Sequence, residues 1–236
     1  MVDVVNMKRS VWLLFFSMAF FGLFGPSNLS YYWSVYSVFF IFSFAWALYL
    51  IYGCERYVVF LATMVFVGVA IFLFLASSLA YVSVSALPSG GGGISIVAAL
   101  TPIVLVYGVF YIILCTKSTH FPFECIGNRV TSKRRERSKG GYSFGMVAGV
   151  SVLIGGMFLK SVDALTSSAV LIVGCTVFSI TILILARHSI RGLRTLRTQE
   201  RCMPVPYTFM EIDEIREARG RWWVGRLFNW MASSRR

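Results

Sequence analysis

Charge is scarce in this sequence, and the places where it is missing exclude several kinds of protein. Only 14% of the 236 residues are Asp, Glu, Lys or Arg, against about 25% in a typical soluble domain. Acidic residues are the rarer sign, 10 against 22 basic ones, and there are only two histidines, His120 and His188. No ionisable residue falls in the middle of a long apolar run. Charged groups inside a bilayer are costly to hold and mark proton relays, coupled-ion sites and substrate counter-charges. Their absence argues against an ion-coupled transporter, a proton pump and an intramembrane hydrolase. A pore lined by Ser, Thr, Tyr and backbone stays open as an alternative. Walker A, GxSxG, HExxH, CxxC and paired-Asp motifs are also missing, so no catalytic residue is assigned and the chain is not read as an enzyme.

The five cysteines, Cys54, Cys115, Cys125, Cys175 and Cys202, form neither a CxxC pair nor a metal-ligand spacing. This fits reduced or buried thiols without disulfides. His120, Glu124 and Cys125 lie close in sequence, but structural zinc usually takes four ligands in a recognisable spacing. No metal and no cofactor is expected.

What the chain has in abundance is hydrophobic residues, 57% of the total. They gather into runs near 10–25, 32–52, 57–82, 94–115, 142–160 and 165–186. Uncharged runs of about 20 residues are the signature of spanning helices. The expected fold class is therefore an all-α polytopic membrane protein with about six transmembrane helices. The first run has the basic start and apolar core of a signal peptide. No A-x-A-like cleavage site follows it, and Phe15, Phe16, Phe20, Phe21 and Phe24 make it bulky, which favours a retained helix. Pro102 sits early in the fourth run, where it can kink a helix. The domain division is a transmembrane part, 1–190, with a basic loop at 116–141, and an amphipathic tail, 191–236.

Basic residues then set the expected orientation. The N-terminal segment, the hairpin at 53–56, the loop 116–141 and the tail after residue 186 hold 2, 1, 7 and 11 Lys plus Arg, and only Lys160 falls on the other side. Because Lys and Arg accumulate in short cytoplasmic segments, both termini are placed in the cytoplasm, and the membrane is read as a bacterial inner membrane. The same rule accounts for the net charge of +12 without invoking nucleic acid.

Three features point to partners. Gly141, Gly145, Gly149 and Gly156 give the fifth run a face of small residues, where helices approach closely. The first reading is packing within the chain; the second is a homo-oligomer. Lys133, Arg134, Arg135, Arg137 and Lys139 crowd one stretch of loop, where anionic membrane lipid is the expected contact. In the tail, Arg187 to Arg201 is expected to continue the sixth helix, with Arg187, Arg191, Arg194, Arg197 and Arg201 on one face and Ile190, Leu193 and Leu196 on another. Such a helix is expected to lie in or turn along the interface. After Pro204 and Pro206 comes an acidic patch of Glu211, Asp213, Glu214 and Glu217, then an aromatic–basic stretch with Trp222, Trp223 and Trp230. These tryptophans are expected at a membrane surface or in a partner's groove. The acidic patch is the one feature a plain anchor does not need, and a contact with the basic loop or with an unidentified protein partner is expected there. The sequence thus points to a non-catalytic membrane protein acting through protein and lipid contacts, such as a subunit or scaffold of a secretion, defence or toxin-immunity system. A small channel or facilitator is the alternative.

Overall fold

The computed structural model describes residues 4–27, 29–87, 92–116, 121–132 and 163–222. The fifth apolar run, its glycine face, the basic cluster 133–139, Trp223 and Trp230 lie outside the described residues.

Among the described residues, four helices are long and apolar enough to cross a membrane. Helix α2, Tyr32–Leu48, continues through a π-helical turn at Tyr49–Gly53. Helix α3 is Tyr57–Ser85, α4 is Gly92–Cys115 and α5 is Ala164–Glu200. A further helix, α1 (Val4–Gly22), begins before the apolar run and takes in Asn6, Lys8 and Arg9; it is not among those four. Helix α4 runs through Pro102 without interruption.

The burial pattern is that of a protein whose solvent is lipid. Phe16, Phe42, Phe66, Val104 and Leu185 are each more than 60% exposed, whereas soluble monomers rarely show large contiguous apolar surfaces. Where helices cross, small residues are buried: Ala76 of α3, Ser95 of α4 and Ser179 of α5 are each 0% exposed. Among helices that gain nothing hydrophobic from pairing, small side chains permit the close approach that van der Waals contact needs. Helix α3 packs most extensively on α5 and α4. Helices α1 and α2 form a hairpin, tied where the Tyr36 hydroxyl donates to the Ala19 carbonyl at 2.8 Å and the Tyr32 hydroxyl donates to the Gly22 carbonyl.

One end of this bundle carries a cap with its own core. Strand β1, Phe123–Ile126, pairs antiparallel with β2, Arg129–Ser132, and β2 pairs parallel with β3, Thr208–Phe209. A short helix, α6 (Ile212–Arg221), follows. Part of the expected basic loop is thus a β-hairpin. It turns on Gly127-Asn128, and Gly127 has the positive φ of 62° that a two-residue turn with glycine first requires. The tail begins as expected and then departs in its neighbours. Residues after the apolar run continue the spanning helix, so that α5 is one helix of 37 residues, about 55 Å long at 1.5 Å per residue. Ile190, Leu193 and Leu196 on its last turns are buried within the protein.

Candidate functional site at the polar end

The chain segments that the sequence assigned to one side of the membrane meet in this cap. Met7 and Val11 of α1, Ile51 and Cys54 at the end of α2, Tyr57 and Phe60 of α3, Phe123 and Val130 of the hairpin, Leu196 of α5, and Tyr207, Phe209, Ile212 and Ile215 form one buried cluster. Phe209 packs edge-on against Tyr57 and Phe60, with ring centroids 5.5 and 5.4 Å apart. The N-terminus of α3 has no side-chain cap. Instead the Tyr57 amide donates to the Tyr207 carbonyl at 3.1 Å, satisfying one of the donors that every helix start leaves open.

At the centre lies Arg219, which is 5% exposed. Its Nε donates to the Ile51 carbonyl and its Nη2 to the Cys54 carbonyl, both at 2.8 Å. The π turn explains why acceptors are available. The Cys54 amide reaches back to the Tyr49 carbonyl at 2.8 Å, and the last carbonyls of a helix have no partner within it. They also carry the negative end of the helix dipole, which favours a cation. Burial draws the Arg219 pKa down, while Cys54 and Glu55 oppose that shift. Burial pushes the Cys54 thiol up. On the next turn-face Arg216 makes a two-pronged pair with Glu55, at 2.8 and 2.7 Å. That hydrogen bonding holds the Glu55 carboxyl below its ordinary value.

The acidic patch splits between inward and outward uses. Asp213 accepts from Arg129 of β2 at 2.6 Å, and Glu217 accepts from Arg221 at 2.7 Å, one helical turn on. Glu214 is exposed and Glu211 half-buried. Trp222 sits half-buried against α1 and α2, with the Lys8 ammonium 3.8 Å over its ring and Tyr52 edge-on at 5.8 Å.

The basic face of α5 has two roles as well. Arg191 donates to the Ile113 carbonyl at 3.0 Å and Arg194 to the Leu114 carbonyl at 2.8 Å, so both close the C-terminal end of α4. Arg197 is exposed and, with Arg56, Arg194 and Arg201, borders a crevice of about 1060 Å³ between α3, α4 and α5. Sequence reasoning did not single out Arg219 or the hairpin; the Gly127-Asn128 pair was the available signal for the latter. Among the described residues no group of three His, Cys, Asp or Glu side chains is gathered as a metal site would need.

Comparison with protein-family models, with curated proteins and with solved structures finds no match for this chain. Its class therefore rests on its own geometry: an integral membrane protein whose polar end is closed by a clamped cap of strands and a short helix.

Proposed function

We propose that the chain is a non-catalytic subunit or scaffold of a bacterial inner membrane, serving a secretion, defence or toxin-immunity assembly. It works by holding the cap as a docking platform for a protein partner at the cytoplasmic face. The observation that carries this reading is the way α6 is mounted. Arg219, Arg216 and Asp213 fix it to the α2–α3 turn and to the hairpin, while Glu214 and Glu217 remain on its exposed side. A helix with no binding role would need no such mounting; a rigid surface lowers the ordering cost of binding.

Six crossings with both termini in the cytoplasm fit this use. Connectivity supports that count, because β2 ends at the capped end of the bundle whereas α5 begins at the other and returns. Basic residues concentrated at the capped end support the sidedness.

Co-purification from native membranes tests the function. A protein partner retained by the full chain and lost on E214K/E217K, or on truncation after Arg201, supports the platform. Ion flux through liposomes carrying the purified chain, with no partner retained, overturns it. Single cysteines at Ser27 and Ser85 should react with an impermeant maleimide from outside the cell, and Cys202 only after permeabilisation; the reverse pattern inverts the topology.

A further inference from the structure

The crevice bordered by α3, α4 and α5 is where the apolar and basic surfaces of this chain meet, and the cap does not fill it. Its walls include Val59, Phe66 and Val69 of α3, Ile103 and Phe110 of α4, and Leu183 of α5. Along α3 it extends from Arg56 to Leu73, about 25 Å at 1.5 Å per residue. That spans one leaflet of a hydrocarbon core about 30 Å thick together with its headgroup zone. We propose that the crevice binds one anionic phospholipid of the surrounding leaflet, an acyl chain along the apolar walls and the phosphate among Arg56, Arg194, Arg197 and Arg201.

Three observations carry this. First, polarity is divided along the crevice: all four arginines border one end, and no Asp, Glu, Lys, Arg or His lines the part from Val58 to Leu73 on α3 or from Ile103 to Leu114 on α4. An anionic phospholipid has the same division over the same length. Second, the described part of the protein forms no ion pair with these cations. Among the described residues the three ion pairs involve Arg129, Arg216 and Arg221, and none involves a crevice arginine. Arg194 commits one donor to the Leu114 carbonyl, but its charge remains. Among the described lining residues the one carboxylate is Glu200, against four arginines, which leaves the mouth positive. Third, the volume, about 1060 Å³, lies just above the roughly 300–1,000 Å³ range of small-molecule sites. A lateral apolar crevice in a bilayer fills with lipid tails in any case, so the arginines decide which headgroup comes with the tail. Guanidinium is well suited to that choice because its planar fork matches phosphate oxygens.

The site stands apart from the protein-partner reading, and either can fail without the other. The test uses the full chain purified in mild detergent. Thermal unfolding is followed with added phosphatidylglycerol or phosphatidylcholine, and the phospholipid that co-purifies is quantified. The variants are R197Q/R201Q, A62F to narrow the crevice, R221Q as a remote control, and a chain with Lys133 to Lys139 neutralised. Phosphatidylglycerol should stabilise the wild type more than phosphatidylcholine does. Each arginine near the surface is worth about fivefold in anionic-lipid affinity, so R197Q/R201Q should weaken phosphatidylglycerol binding about 25-fold and leave phosphatidylcholine unchanged. A62F should lower both, while R221Q and the neutralised loop should keep the preference. Equal stabilisation by the two lipids overturns the proposal, as does a preference that survives R197Q/R201Q or that vanishes only with the neutralised loop. So does an A62F chain that unfolds earlier with its bound lipid unchanged, because the crevice is then filled by protein.

Discussion

Replacing Arg219 with methionine keeps the volume of the side chain and removes both hydrogen bonds to the α2–α3 turn. The carbonyls of Ile51 and Cys54 then lose charge-assisted donors, and each buried acceptor left open costs about 1–3 kcal/mol. The sum, about 2–6 kcal/mol, is an upper bound, because methionine also escapes the desolvation that a buried guanidinium suffers. A net loss of about 2–4 kcal/mol is expected. Cys54, 1% exposed beside the clamp, supplies the assay. In a background with the other four cysteines changed to serine, the rate of Cys54 alkylation reports opening of the cap when opening is fast relative to labelling. At 1.4 kcal/mol per tenfold, R219M should label roughly 30- to 700-fold faster than wild type. R219K keeps the charge but not the fork that spans both carbonyls, and it should fall between. R216M breaks only an exposed pair, whose partners are 56% and 40% exposed. Such pairs are worth at most about 1 kcal/mol, hence about fivefold in rate. If R219M labels no faster than R216M, the clamp does not hold the cap and the reasoning fails.

Three other perturbations follow from the same geometry. Glu55 has a folded pKa below its ordinary value, so its contribution is present above the usual glutamate range, near 4.3, and is lost as pH falls through the lowered value. Thermal unfolding between pH 7 and 3 should show this loss, and E55Q should flatten it; an unchanged profile in E55Q assigns the acid sensitivity elsewhere. A Cβ on Gly192 of α5 would stand 2.5 Å from the Phe123 ring and 3.0 Å from Pro122, so G192V should destabilise the chain by about 1–3 kcal/mol through overpacking; a neutral unfolding midpoint would show that the hairpin moves aside freely. Arg129 and Asp213 should tolerate exchange: R129D and D213R singly loosen the cap, seen as faster proteolysis near residue 210, and the double swap recovers most of the loss.

The four spans were legible because lipid leaves so few solutions. A run bounded by polar residues must be a helix about as long as the run, and the expected 32–52 and 94–115 match Tyr32–Gly53 and Gly92–Cys115 closely. Periodicity also put the arginines of α5 on one face, but periodicity gives an angle and not a neighbour. That face meets the end of α4 at Arg191 and Arg194 and the crevice at Arg197. The apolar face opposite was expected on lipid, yet Leu193 and Leu196 meet the cap core instead. The strands escaped notice because four-residue segments carry little periodic signal and the neighbouring basic cluster dominated the reading. Arg219 was hidden for a different reason. A buried guanidinium makes sense only once two carbonyls far away in sequence are left open, and a π turn is what leaves them so.

The clamp also has a place in time. Arg219 lies 168 residues after Ile51, whose carbonyl it closes. At about 5–20 residues per second of synthesis, the end of α2 waits about 8–30 s for its donor. Until then the turn at residues 51–54 is an unfinished edge beside the membrane, available to chaperones and proteases. A chain that stops short of residue 219 never closes that edge. Helix α6 thus doubles as a late checkpoint, separating chains that have closed the turn from fragments that have only inserted their earlier spans.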